Sequence, residues 1–577
     1  MAPSLRITLG QHSQPGGQRP NQDFHGAVVP TGSALQTKGI AVALADGIGS
    51  SPVSQVASAA AVRGFLEDYY ATSDAWTVRR AAQRVLGATN AWLHAQNQRG
   101  DARFDKDRGY CCTFSALVLK GRELHVLHVG DTRIYCVHAQ ALEQLTEDHR
   151  VHIGAGESCL GRALGATAHV EIDHRCLEAE PGALYLLATD GAYERLDAAA
   201  VHTALACWPD DFDAAAQTLV AVARERGSGD DATVQLLRID TLPEHDAQPW
   251  QARRAQLRLP PPLAPGMLFE GYAVVRELHA SARSQVHLAI DQASGAQVAL
   301  KTPATELRED AEALDRFLLE EWVARRLHSP HVLRPSTTER PREHLIVAME
   351  YVDGQTLGQW MTDHPRPDLD RVRQLVAQLA KGLQAFHSKE MLHQDLRPEN
   401  VMIDRGGTVK IIDFASAHVA GLAEGTHAAR ADRIVGTLQY TAPEYFIGGA
   451  GTAASDLFAL AVLAYQMLSG QLPYGLQVTQ LRQSADLKRL RYVPLRHHRP
   501  DLPAWLDAVL SKALQPEPRK RQEAVSEFVH DLHAPGAAFH GARRMPLVQR
   551  NPVVFWQACT AALAFALLGL SGYVFGR

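Results

Sequence analysis

From residue 1 to about 240 the chain alternates short apolar runs, IAVALAD, TFSALVLK, ELHVLHVGD and ALYLLATD, with alanine-rich stretches such as VSQVASAAAVRGFLEDYY and WTVRRAAQRVLGATNAWLHAQ. The first kind predicts strands and the second helices, so residues 1–240 read as one mixed α and β domain. Over 241–266, TLPEHDAQPWQARRAQLRLPPPLAPG, proline density rises and periodicity fails, which predicts a linker with a semi-rigid polyproline piece. Residues 267–535 open on GYAVVRELHA, QVHLAID and AQVALK and turn mostly helical after Thr356, giving a strand-rich lobe followed by a helix-rich lobe.

Residues 536–552, with two Pro and three Arg, lead into VVFWQACTAALAFALLGLSGYVF, residues 553–575, which carries no charge. Such a run is long enough to cross a bilayer core of roughly 30 Å as a helix. Phe555, Trp556 and Tyr573 stand near its ends and Arg543, Arg544 and Arg550 precede it. Aromatic belts and the positive-inside rule then predict a single-pass protein of the cytoplasmic membrane, with residues 1–550 facing the cytoplasm.

The 577-residue length calls for several cores, and 46% hydrophobic with 21% charged residues is an ordinary globular balance. A net charge of -5, with basic residues scattered and not gathered beside aromatics, excludes nucleic acid as the expected partner. Seven cysteines without a C-x-x-C pair fit a reducing compartment, with Cys111 and Cys112 as core residues.

Four stretches of the first block place carboxylates where strands run into loops: NQDFHG with Asp23, VALADGIGS with Asp46, LLATDGAYE with Asp190 and GSGDDATV with Asp230. Each alone is an ordinary turn; together they form a hard-oxygen set suited to Mg²⁺ or Mn²⁺. Paired ions of that kind serve phosphoryl chemistry. In sequence order, RPNQD, ALADGIGS, YCCTFSALVL, HVGDTRIY, QLTEDH, GRALG, LLATDGAYE and GSGDDATV resemble the motifs of metal-dependent protein phosphatases of the type 2C family.

That resemblance implies a β-sandwich flanked by helices and hydrolysis of phosphoserine or phosphothreonine at a site of two or three ions. By motif, Asp46 with the Gly47 carbonyl, Asp23, Asp190 and Asp230 would hold the ion pair, and Asp131 the third ion. Arg19 lies four residues before Asp23, where relatives place a phosphate-binding Arg five before. Ile48 stands where some relatives carry a general-acid His, and His149 reads as a structural histidine.

In the second block VALK ends on Lys301, and RFLLEEWVARRLHSPHVL carries Glu320 at the spacing of a partner carboxylate. HQDLRPENVMI, 393–403, and IIDFA, 411–415, resemble the catalytic loop and metal-binding motif of eukaryotic-like Ser/Thr protein kinases. The resemblance implies ATP with Mg²⁺. Asp395 would orient and deprotonate a substrate hydroxyl, Lys301 and Arg397 would meet the phosphates, and Asn400 and Asp413 would hold Mg²⁺. Leu278, Val286, Glu350 and Val352 would frame the nucleotide, with Met349 before the hinge.

Three departures bear on activity. The family's Arg before the catalytic Asp is Gln394, and the glycine after Asp413 and Phe414 is Ala415. In ELHASARSQVHLA, His279, Ser281 and Ser284 occupy the three positions of the phosphate-covering glycines, near Arg283. Every non-proline residue keeps its N–H, so the loop is expected to weaken the phosphate cradle and not to abolish it.

The sequence thus predicts a multidomain α+β chain: a phosphatase-like domain, a Pro-rich linker, a two-lobed kinase, a basic linker and a single C-terminal transmembrane helix. It is expected to phosphorylate and dephosphorylate protein Ser/Thr, its own included. The alternatives are an active phosphatase regulated by a nucleotide-binding pseudokinase and, less favoured, a catalytically dead first block.

Overall fold

The computed structural model describes residues 4–17, 20–48, 51–99, 109–139, 141–152, 158–243, 250, 254, 256–281, 283–307, 310–336, 340–424, 438–534, 555–557 and 559–561. Arg19 lies outside them, as do Thr426 and Thr437, two residues that the sequence offers for phosphorylation of the kinase's activation loop.

Two five-stranded sheets form the centre of the first domain. One runs in the order β1 (Arg6–Gln14), β12 (Ala232–Thr241), β11 (Leu184–Ala188), β6 (Arg133–Val137), β7 (Leu142–Gln144). The other runs β10 (Asp173–Glu178), β5 (Glu123–Val129), β4 (Phe114–Lys120), β3 (Ile40–Asp46), β2 (Asp23–Val28). A small hairpin, β8 (Arg150–His152) with β9 (Ser158–Leu160), leaves the sandwich. Alternation decides the layers. Val42, Leu44, Leu117 and Val126 face Ile134, Leu187 and Leu237 between the sheets.

The opposite faces take the helices. Ala43, Ala116 and Leu127 pack on α2 (Ser54–Ala71) and α3 (Val78–Asn97), while Leu186, Val234 and Leu236 pack on α5 (Ala198–Cys207) and α6 (Phe212–Glu225). Both faces of each sheet are therefore buried, which is why its strands read as continuous apolar runs.

The second domain opens with the antiparallel sheet β13 (Leu268–Phe269), β14 (Tyr272–Ala280), β15 (Ser284–Asp291), β16 (Gln297–Pro303), β17 (Val347–Glu350), with α7 (Ala311–Ala324) beside it. The helical lobe is built round α8 (Leu369–His387) and α9 (Ala453–Ser469). α9 is buried on nearly every side, so its sequence is apolar all round.

The two domains meet along a polar seam. α3 presents N–H groups at its first turn that have no partner within the helix. Thr77 N and Val78 N donate instead to the carboxylates of Glu390 and Glu424 in the second domain, at 2.9 Å each. Asp74 takes a two-pronged hydrogen bond from Arg326, just past α7, at 2.8 and 2.6 Å. Ala75 is fully buried in the hydrophobic cluster of the second domain, and its carbonyl accepts from Gly421 N at 3.0 Å.

The expected membrane helix over 553–575, and the single-pass placement in the cytoplasmic membrane that rests on it, are corrected. No helix among the described residues is long and apolar enough to cross a membrane. A span needs about 20 contiguous helical residues. Here only 555–557 and 559–561 are described as helical, and the rest of the segment lies outside the described residues.

Candidate active sites

In the first domain the antiparallel register pairs Asp23 with Asp46, so two carboxylates stand side by side at one sheet end. Asp190 opens the short helix after β11, and Asp230 immediately precedes β12 through Asp231. One Asp23 oxygen accepts from the hydroxyls of Thr189 and Thr233, at 2.9 and 2.7 Å. Its other oxygen, Oδ1, is buried without a hydrogen-bond partner.

Burial pushes Asp23 up to about 7. Burial, then the charges of Asp23, Asp190, Asp131 and Asp230, push Asp46 well above the ordinary carboxylate range. Burial, Asp131 and Asp230 raise Asp190 to about 6. Five carboxylates therefore act on one another in a partly dry site. An orphaned oxygen amid mutual repulsion is the signature of a donor set made for hard cations.

Gly47 cannot carry a side chain: a Cβ there would meet Ser54 Cβ at 2.7 Å and the Gln22 carbonyl at 2.9 Å. His149 is structural, as the sequence suggested. Its Nδ1 accepts from Gly130 N and its Nε2 meets Asp173 at 2.9 Å.

Several site residues escape the sequence reading. Arg150 reaches Asp131 at 2.7 Å and Asp190 at 3.5 Å, placing a guanidinium between two expected ligands. Asp231 accepts from Gly16 N and Gln22 N and so ties the β1–β2 connection to the site. Thr189 and Thr233 reach Asp23 from 166 and 210 residues away in sequence, and nothing local announces either.

In the second domain Lys301 on β16 meets Glu320 of α7 at 2.5 Å and Asp413 at 3.8 Å. Burial alone would lower the Lys301 ammonium, but the charges of Asp413 and Glu320 more than offset it, and the group stays protonated. Asp413 lies below its ordinary value: burial works to raise it, and Lys301 prevails.

Asp456 holds the loop that carries Asp395. Its carboxylate accepts from the backbone of His393 and Gln394, at 3.0 Å each, and meets His387 Nε2 at 2.9 Å. Gln394 is thereby kept at φ +65, a conformation costly for a side-chain-bearing residue. Its amide donates to Tyr445 Oη at 3.1 Å. Asn400 Nδ2 donates to the Asp395 carbonyl at 2.9 Å and to its carboxylate at 3.1 Å, while Arg397 Nε stands 3.8 Å from that carboxylate. Arg521 pairs with the buried Glu444 at 2.7 Å.

Val286 lies across from both Lys301 and His279 in the sheet register. Leu278 is half-buried and unpaired at a register shift of β14. Val352 is buried, and the Glu350 side chain is engaged by Lys410 Nζ and Arg334 N, at 2.7 and 2.9 Å. At the glycine-less tip, Ser281 Oγ accepts from Ser284 N at 3.1 Å and Arg283 N at 3.3 Å, and Ser281 N donates to the Ser284 carbonyl. Part of the loop's own N–H supply is thus consumed internally.

Comparison with known proteins divides the chain at the same place. The family model described as protein phosphatase 2C matches residues 11–232, and that described as protein kinase domain matches residues 272–532. The Serine/threonine-protein kinase pkn2 of Myxococcus xanthus is 30% identical over 289 residues, 48% of this chain and 34% of that protein, so the chain spans about a third of this relative's length.

Among solved structures, the Mycobacterium tuberculosis PknI kinase domain is 31% identical with a TM-score of 0.37, covering 48% of this chain and 100% of that one. The catalytic domain of the phosphatase PstP, solved in complex with 2 manganese ions, is 22% identical with a TM-score of 0.34, covering 41% and 100%. By the two family models, the chain carries a protein phosphatase 2C domain over residues 11–232, followed by a protein kinase domain over residues 272–532.

Proposed function

We propose that both domains are catalytically active and that the chain adds phosphate to, and removes it from, Ser and Thr of proteins, its own residues among them. The observation that carries this reading is the completeness of both constellations: five converging aspartates in one domain, and in the other Lys301 paired with Glu320 and Asp413, and Asn400 bonded to Asp395.

In the phosphatase, Asp23, Asp46, Asp190 and Asp230 would hold two Mg²⁺ or Mn²⁺ ions with help from the Gly47 carbonyl, and Asp131 a third. Bound there, the ions supply Lewis-acid charge for a phosphoryl group. Thr189 and Thr233 fix one Asp23 oxygen and leave Oδ1 to face the site. Arg150 offsets charge at Asp131 and Asp190.

In the kinase, Asp395 would accept the proton of the substrate hydroxyl, oriented by the Asn400 amide. Arg397 would stand beside the transferred phosphate, and Lys301, held by Glu320, would meet the ATP phosphates. Asn400 and Asp413 would hold the accompanying Mg²⁺, while Leu278, Val286, Glu350 and Val352 would line the nucleotide cleft.

The internally bonded Ser281 tip favours the second reading, a nucleotide-binding pseudokinase that regulates the phosphatase. Transfer of radiolabelled γ-phosphate from ATP to a generic protein substrate separates the two. Activity lost in Asp395→Ala supports a working kinase; wild type and Asp395→Ala equally inert leaves the regulatory module.

A further inference from the structure

Away from both active sites, the helix-side face of β5 and β10 carries a second group of chemistry-bearing side chains. Glu123 and His125 are two apart on β5 and share that face, and Cys176 of β10 lies directly across from His125. One ligand atom from each of the three falls within 4.8 Å of the others. His174, the next residue of β10 on the same face, meets His125 Nδ1 through its Nε2 at 3.1 Å.

The His125 ring is buried, with its side chain 2% exposed, yet Nε2 has no hydrogen-bond partner. Its nearest carboxylate oxygen is Glu123 Oε2, at 3.6 Å. If Nε2 carries the proton, that distance is too long for a hydrogen bond; if it does not, a lone pair faces a carboxylate with nothing between. Neither tautomer satisfies the group, and a cation between the two atoms satisfies both.

We propose that Glu123, His125 and Cys176 form a Zn²⁺ site, separate from the hard-cation aspartates of the phosphatase centre. One imidazole nitrogen, one thiolate and one carboxylate make a borderline-soft set that selects zinc over Mg²⁺ or Mn²⁺, with a fourth position open to water. His174, hydrogen-bonded to the far ring nitrogen, is the outer partner that fixes the ring's tautomer and orientation. β10 is the sheet edge and Cys176 is exposed, which gives the ion a way in from solvent. Binding displaces the thiol proton of Cys176. The site adjoins the domain seam: Glu123 pairs in the strand register with Lys120, which meets Glu424.

The test is a Co²⁺ titration of the full-length, chelator-stripped chain, followed by its absorption spectrum. The expected result is one equivalent of Co²⁺ giving a thiolate-to-cobalt charge-transfer band, displaced by one equivalent of Zn²⁺. Cys176→Ser is expected to remove the band while Mn²⁺-dependent aryl phosphate hydrolysis is retained. His174→Ala is expected to weaken Zn²⁺ binding about 10- to 100-fold. Should His125→Ala fail to fold, Glu123→Gln and Cys176→Ser alter solvent-reached positions and keep the test open. Absence of a thiolate band in wild type overturns the proposal, and so does a band undiminished in Cys176→Ser, which would place the thiolate at another cysteine.

Discussion

The Lys120 ammonium of the phosphatase sheet meets the Glu424 carboxylate of the kinase at 3.1 Å, and also donates to the Gly421 carbonyl at 2.5 Å. Glu424 follows the short helix Ala420–Ala423, so the phosphatase domain holds that turn, a few residues after Asp413. Both side chains are largely withdrawn from solvent, 3% and 15% exposed. Removing one charge from such a pair leaves the other stranded, at about 3–5 kcal/mol. Lys120→Met is expected to speed hydrogen exchange over Ala420–Ala423, and the added substitution Glu424→Leu to restore much of the protection. Unchanged exchange in Lys120→Met would show that the pair does not hold the segment.

Lys38 is buried in the same region and donates to Thr72 Oγ1 and the Ser73 carbonyl at 2.6 and 2.8 Å, without a carboxylate partner among the described residues. Burial, aided by Lys120, lowers it from 10.5 to about 8. Between these values the unfolded chain binds the proton more often than the folded one, so this group's contribution to stability rises with pH. Relative to Lys38→Met, wild type is expected to gain on the order of 3 kcal/mol between pH 7 and pH 10.5. Parallel melting curves across that range check it.

Ser281 consumes backbone donors that a glycine would leave for phosphate. Ser281→Gly is expected to lower the KM for ATP about fivefold, at roughly 1 kcal/mol for a recovered hydrogen bond. The triple change of His279, Ser281 and Ser284 to Gly is expected to go further. Steady-state kinetics over an ATP series decides; an unaltered KM means that the loop does not cover the nucleotide.

Arg150 pairs with Asp131 and Asp190, where it would compete with the cations proposed to bind there. In Arg150→Ala the Mn²⁺ concentration for half-maximal aryl phosphate hydrolysis is expected to fall about fivefold, matching roughly 1 kcal/mol for a partly exposed ion pair. An increase would show that Arg150 supports the site in another way.

The kinase domain was legible because its chemistry sits in contiguous words, HQDLRPEN and IIDFA, each folding into one loop. Asp23 and Asp46 were legible because strand ends announce themselves. Arg150, Thr189 and Thr233 were not, since strand pairings between distant segments bring them to the site. The seam and the zinc ligands follow from docking and cross-strand register, which leave no local pattern. The membrane helix is corrected on the described residues alone: an apolar run is necessary for a span, and no helix among those residues is long and apolar enough to make one.

The most direct test of a chain that both adds and removes phosphate is ³²P retained by the purified protein after incubation with radiolabelled ATP, Mg²⁺ and Mn²⁺. Asp46→Ala is expected to retain clearly more label than wild type, and the Asp46→Ala, Asp395→Ala double variant none. Equal label in Asp46→Ala and wild type, or label persisting in the double variant, would contradict the account.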